Sequence, residues 1–397
     1  MLREIKKSSV VGGFGTVLVG LFVLSQFFVK VFFVNDLMGN ALVAAIGGVC
    51  LLYACLKKRS SPLFEIIFGF ASCVSLLMFV SMVYNSNTSL EDFLWVWAYA
   101  GPVSIMLSQS VDYRVFTISF YVVVVFLFVQ IAIGTDSMEV FRSGSRNGIS
   151  SFVIILVVLD YYYRWRQLQK ISLIPAMLTV PICLYGVGRA GVAVSAMLLM
   201  FVLSAYLITT RKPAFLKVFI SILVVGLVAI LLTGLFSDLV DSFLARLERE
   251  GLGGGRAKMW SEYLGLILAS PGNLLFGAPT MADSSLRIAI QQGNLHNSFL
   301  MLHAHFGALG FGAVVVCLIV FCKRLLGIGE WFPAGILAIA MTRTLFDGIA
   351  FFGPYDLIFM CMIVPVLCGR RYCDAFSRDW NVWSGDAESG ISDRYAA

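Results

Sequence analysis

Charge is scarce in this sequence: 13% of its 397 residues are Asp, Glu, Lys or Arg, against roughly 25% in water-soluble domains. Hydrophobic residues make up 59%, more than a globular interior can take in, whereas lipid accepts them. The formal net charge of +6 does not point to nucleic acid, because the basic residues fall in short clusters between apolar runs rather than over one face. None of the nine cysteines falls in a segment expected outside the cell, and there is no Cys-x-x-Cys pair. Both facts argue against a disulfide framework and a structural zinc site. The glycines Gly12-Gly13-x-Gly15 lie inside an apolar run, so they read as helix packing rather than a nucleotide loop. Histidine is rarer still, with three in the whole chain.

What the sequence does have is long apolar runs. Crossing the hydrocarbon takes about 17–25 apolar residues, and twelve runs qualify or come near: 10–34, 37–56, 62–84, 93–110, 115–134, 148–163, 171–187, 190–210, 215–236, 297–322, 331–350 and 354–368. The first follows Arg3, Lys6 and Lys7 and has no convincing small-residue cleavage site, so it is expected to be an uncleaved span. With the N-terminus inside, the positive-inside rule is satisfied by Lys57-Lys58-Arg59, Arg114, Arg164, Arg166, Lys170, Arg211, Lys212, Lys217, Lys323, Arg324 and the basic residues after Arg370. The fold class expected is an all-α polytopic membrane protein of about twelve transmembrane helices with both ends cytoplasmic. Spans one to nine fill 1–236, a large external loop 237–296, spans ten to twelve 297–368, and a polar tail 369–397.

The basic residues left outside are nearly all arginine: Arg142, Arg146, Arg189, Arg246, Arg249, Arg256, Arg287 and Arg343, with Lys258 and, near the end of the first span, Lys30. A planar guanidinium grips phosphate bidentately, so an arginine-biased outer face suggests a phosphate-bearing ligand; interfacial anchoring and ion pairing are the competing roles. Within the large loop, Leu239, Val240, Phe243, Leu244 and Leu247 form one helical stripe, expected to lie in the interface plane. Gly251 and Gly253–Gly255 break it. A second helix starts at Arg256, carries Trp260, Tyr263, Leu264, Ile267 and Leu268, and stops at Ser270-Pro271-Gly272. The loop is too apolar to be disordered and reads as a lid.

The three histidines, His296, His303 and His305, lie within ten residues. On a continuous helix His296 and His303 would stand about 10 Å apart along the axis while His305 points away, so one metal ion cannot join them. His296 sits where the loop re-enters the membrane, at the water boundary, where an imidazole can serve as a general base; helix capping is the alternative. His303 and His305, deeper in the span, are expected to pack or hydrogen-bond between helices.

His296-Asn297, nine residues, then Gly307-Ala-Leu-Gly310 resembles the His-Asn-x9-Gly-x-x-Gly signature of the O-antigen ligase and polymerase superfamily. Gly188-Arg189-Ala190-Gly191, opening a span, is similar to the family's small-residue arginine motif. Gly255-Arg256, Trp260, Ser270-Pro271 and Phe276-Gly277 are similar to the stretch before its histidine. The late large external loop matches as well, so the likeness covers most of the chain. One departure is Ala193, where the ligase motif has leucine four residues after its arginine.

The resemblance implies a fold related to the multispan glycosyltransferases and an enzyme of the bacterial inner membrane with a periplasmic site. Such an enzyme passes a glycan from undecaprenyl pyrophosphate to an acceptor hydroxyl. It implies an inverting single displacement with His296 as base, needing no metal and no cofactor. Arg189 and Arg256 come first, then Arg146 and Arg343, as cations for the pyrophosphate; Asn297, Arg142 and Trp260 are expected in support. Arg343 and Asp347, four apart, can equally form a salt bridge. Asp36, placed like the catalytic aspartate of metal-dependent relatives in the wider class, has no metal partners in sequence and reads as structural. The partners implied are membrane lipids, the lipid-linked glycan, an acceptor that is a second glycan or lipid A-core, and a chain-length regulator and flippase. A repeat-unit polymerase is the reading taken, because the ligase leucine is missing; the ligase is the alternative. A transporter would show two related halves, and no repeat of six spans is visible.

Overall fold

The computed structural model describes residues 2–57, 62–108, 111–142, 145–210, 212–230, 234, 237–250, 256–280, 294–327, 329–351 and 353–367. The glycine break at 251–255, Arg287 and the tail at 369–397 lie outside them, as does the side chain of Asp36. The helices α1–α9 run Leu2–Phe32, Asp36–Lys57, Pro62–Tyr84, Leu90–Ser108, Arg114–Ala132, Asn147–Leu168, Ile174–Tyr185, Arg189–Thr209 and Ala214–Ile230. The segment expected to form the large loop holds α10 (Ser237–Glu250), α11 (Arg256–Ala269) and α12 (Pro271–Phe276). They are followed by α13 (Ser298–Gly327), α14 (Trp331–Thr344) and α15 (Asp356–Leu367).

Seven of these helices, α1, α2, α3, α5, α6, α8 and α13, are long and apolar enough to cross a bilayer. The chain is a polytopic membrane protein. Each of the twelve apolar runs is helical, but α7 has 12 residues and rises only about 18 Å. Gly186-Val187-Gly188 ends α7, and α14 stops at Thr344 rather than near 350, so Asp347 lies in a connection and not in a span.

The most buried span is α6, with 83% of its apolar window inside the protein. It touches α5, α7, α8, α14 and α15, and polar groups sit near both its ends. Near its C-terminal end Asp160, fully buried, pairs with Arg164 at 3.1 Å and accepts the Thr117 hydroxyl, a paired arrangement that makes a buried carboxylate tolerable. Near its N-terminal end Asn147, Ser150 and Ser151 face the site described below. Where α2 crosses α4, a Cβ on Gly47 or Gly101 would overlap the facing backbone, so these glycines bring the two helices together. Gly13, expected to serve such a contact, faces open space instead.

Two expectations change here. The apolar stripe of α10 is shared with the protein rather than given wholly to the interface: Leu239, Val240 and Phe243 pack on the main core, beside α7, while Leu244 is half exposed. And α13 is two helices, broken at Gly307, whose backbone is at φ 62°, ψ −166°. The break makes room for the strap Leu275–Ala278, because a Cβ on Gly307 would overlap the Leu275 carbonyl and one on Gly277 the Ala304 carbonyl.

Candidate active site

His296 stands just before α13, in a left-handed backbone conformation at φ 47°. That conformation is uncommon for a residue with a side chain and clusters at functional positions. Four groups hold it there. The Asn294 side chain accepts the His296 N–H at 2.8 Å. The Trp260 indole on α11 donates to the Leu295 carbonyl at 2.8 Å. Asn297 caps α13, its side-chain oxygen accepting the N–H groups of Phe299 and Leu300 at 2.9 and 3.1 Å. Beneath, Met259, Tyr263, Ile267, Leu295 and Ala304 form a small apolar cluster of their own.

Asp347 faces His296, with Nδ1 to Oδ1 at 3.6 Å, an ion-pair distance rather than a hydrogen bond. Ser298 brings the aspartate there. Its hydroxyl donates to the Asp347 carbonyl at 2.7 Å and accepts the N–H groups of Ile349 and Ala350, each at 3.1 Å. On its other side Asp347 binds the Arg343 guanidinium at 2.9 Å. Burial pushes the Asp347 carboxyl up, but His296 and the Arg343 guanidinium together outweigh it and hold the carboxyl down at about 2. Because this lies below the ordinary carboxylate value near 3.9, the ionised Asp347 stabilises the fold above about pH 4. That contribution is lost as pH falls through 2. The difference in thermal midpoint between wild type and Asp347→Asn is therefore expected to be constant from pH 7 to 5 and to shrink below about pH 4. A gap that widens on acidification contradicts it.

Arg343 is not the open phosphate ligand expected from the sequence. It is 2% exposed, and its Nη2 also donates to the Ser151 hydroxyl at 2.7 Å, the Asn147 carbonyl at 3.3 Å and the Ser150 hydroxyl at 3.4 Å. Its work is to anchor Asp347 to α6. Arg189 and Arg256 are better placed. Arg189 opens α8 between Gly188, which packs on Asn147, and Gly191, which packs on Ser150. From the start of α11, Arg256 donates through Nη1 to the Phe346 carbonyl at 2.7 Å, next to Asp347. Arg146 precedes α6 and lines a cavity that Leu239, Ser242, Ala245 and Arg249 of α10 also line. Arg142 is exposed, its backbone N–H bound to the Lys30 carbonyl at 2.9 Å.

The other two histidines are committed to the fold. His303 Nε2 lies 3.1 Å from the Leu274 carbonyl, which can only accept, so Nδ1 receives the Tyr263 hydroxyl at 3.0 Å. His305 Nδ1 meets Thr88 Oγ1 at 3.2 Å, and Thr88 donates onward to Ser81. That contact belongs to a latch invisible in a reading for chemistry. The connection Asn85–Ser89 joins α3 to α4. Asn85 donates to the carbonyls of Phe276 and Ala304 at 2.9 and 3.0 Å, and Asn87 to those of Ala278 and Ala304, both at 2.8 Å. Breaking a helix leaves carbonyls in need of donors, and these asparagines supply them. Its only sequence signal is five small polar residues in a row between two apolar runs. Replacing both Asn85 and Asn87 by alanine leaves buried carbonyls without donors, at about 1–3 kcal/mol each. The double variant is expected to lose several degrees of thermal midpoint in detergent; an unchanged midpoint sinks the latch.

Comparison of the chain with protein-family models, with curated proteins and with solved structures gave no match.

Proposed function

We propose that the chain transfers a glycan from undecaprenyl pyrophosphate to an acceptor hydroxyl on the outer face of the bacterial inner membrane, as a repeat-unit polymerase. The observation that carries this reading is the His296–Asp347–Arg343 chain, with Arg256 on the Phe346 carbonyl next to Asp347 and Arg189 between two glycines that pack on Asn147 and Ser150. A base at a water boundary needs an orienter and nearby fixed cations, and this arrangement has both.

In the proposed reaction His296 Nε2 takes the proton of the acceptor hydroxyl, while the buried Nδ1 faces Asp347. The acceptor oxygen attacks the anomeric carbon of the donor. The bond from that carbon to the pyrophosphate oxygen breaks, and its electron pair leaves on the pyrophosphate. The configuration inverts. Arg189 and Arg256 stabilise the charge gathering on the leaving group, and Arg343 keeps Asp347 in place. Undecaprenyl pyrophosphate supplies the activation, so the step uses no metal and no cofactor. The topology that goes with this reading has twelve spans and both ends in the cytoplasm.

The test has a genetic and a chemical arm. A deletion strain whose lipopolysaccharide carries a single capped repeat supports the polymerase, whereas bare core with polymer retained on undecaprenyl identifies a ligase. Purified protein should transfer fully in EDTA. A strict divalent-cation requirement overturns the metal-free step.

A further inference from the structure

A cavity of about 370 Å³ lies under α10 on the outer side of the protein. Its roof is one face of that helix: Leu239, Ser242, Ala245 and Arg249 recur at three- and four-residue spacing. The two central residues are small, and the space beneath them is what larger side chains would fill. The floor comes from three connections of the membrane domain: the turn after α5, with Asp136 and Ser137; Arg146 before α6; and the turn after α7, with Tyr185 and Val187. Val187 has φ 48°. A left-handed backbone is rare for a β-branched residue, and such strain persists where the surroundings enforce it.

The cavity adjoins the catalytic group through consecutive residues. Arg146 precedes Asn147, whose carbonyl takes a hydrogen bond from Arg343, and Val187 precedes Gly188-Arg189. Its size falls at the small end for small-molecule pockets, enough for one or two sugar rings. The polar groups suit sugars better than phosphate. Hydroxyls of Thr135, Ser137, Tyr185 and Ser242 line it, together with a carboxylate, Asp136, that would repel an oxyanion but accepts sugar hydroxyls. Tyr185 already donates to the Thr135 carbonyl at 2.6 Å, which leaves its oxygen to accept. Two arginines, Arg146 and Arg249, and one carboxylate, Asp136, are the charged residues of the lining.

We propose that this cavity is a saccharide subsite that holds sugar units of the glycan beyond the reacting one, and that its arginine excess favours a sugar bearing a carboxylate. The assignment rests on the glycan-transfer reading above for its biological meaning. It is tested by binding alone, with full-length protein in lipid nanodiscs and digalacturonate as the probe in saturation-transfer NMR. Wild type is expected to bind the acidic disaccharide in the millimolar range and more tightly than neutral cellobiose. Ala245→Trp, which fills the cavity, and Arg249→Ala, on an exposed helix face where folding is not at stake, should each weaken binding about tenfold or more. His296→Ala should leave it unchanged.

Failure of wild type to bind digalacturonate overturns the proposal, as does cellobiose binding equally well. Displacement of the disaccharide by inorganic pyrophosphate from wild type would make the cavity a phosphate site instead. The two readings fail separately. Normal transfer by His296→Ala, with disaccharide binding intact, refutes the catalytic reading and leaves the subsite. Lost transfer in that variant, with no disaccharide binding in wild type, does the reverse.

Discussion

His296→Ala is expected to lower glycan transfer by about 10²- to 10⁴-fold, the usual contribution of a positioned general base, while the protein inserts and accumulates as wild type does. The imidazole is partly exposed and touches Asp347 at 3.6 Å, so its removal opens no cavity in the core. A second substitution separates chemistry from backbone. His296 has φ 47°, and asparagine tolerates that conformation well. His296→Asn keeps the local turn but cannot carry the proton. It should be as inactive as His296→Ala. Transfer restored by asparagine, measured with purified protein and a lipid-linked donor, would mean that the position serves the turn alone.

The second large effect is expected at Gly307. Its backbone lies at φ 62°, ψ −166°, a combination open in practice only to glycine. The added Cβ of Gly307→Ala would meet the Leu275 carbonyl, a backbone atom held by its own helix and strap. Strain of this kind costs about 1–3 kcal/mol before any overlap is counted. A loss of that order lowers the folded-to-unfolded ratio by a factor of about 5–150. Gly307→Ala should therefore cut the yield of monodisperse, heat-resistant protein several-fold. Gly312→Ala, five residues further along the same element, is the control: nothing lies within 4 Å of its added Cβ. Equal behaviour of the two variants would show that the break in α13 does not depend on glycine.

These residues also show how far the primary sequence reaches. The bilayer class follows from 13% charge and 59% hydrophobic residues, because no water-filled surface can carry so many apolar side chains. Helix positions follow from apolar run length, since within lipid each backbone group must find its partner inside its own segment. His296 stands out because histidine is rare here and this one falls at the edge of a span. Trp260 and Asn297 hydrogen-bond the backbone on either side of it.

The tertiary structure decided the rest. Arg343 and Arg189 look alike in sequence, each an arginine near the end of an apolar run. Only packing buries one against Ser151 and Asp347 and sets the other at the start of α8, after Gly188, which packs on Asn147. Asp347 faces His296 because Ser298 ties together segments 49 residues apart, a link no local pattern encodes. Gly307 reads equally well as a helix-packing glycine, and its broken backbone exists because the Leu275 carbonyl needs the space. Composition and periodicity report on the solvent around each residue. Which side chains meet depends on distant segments crossing, and that is settled by packing alone.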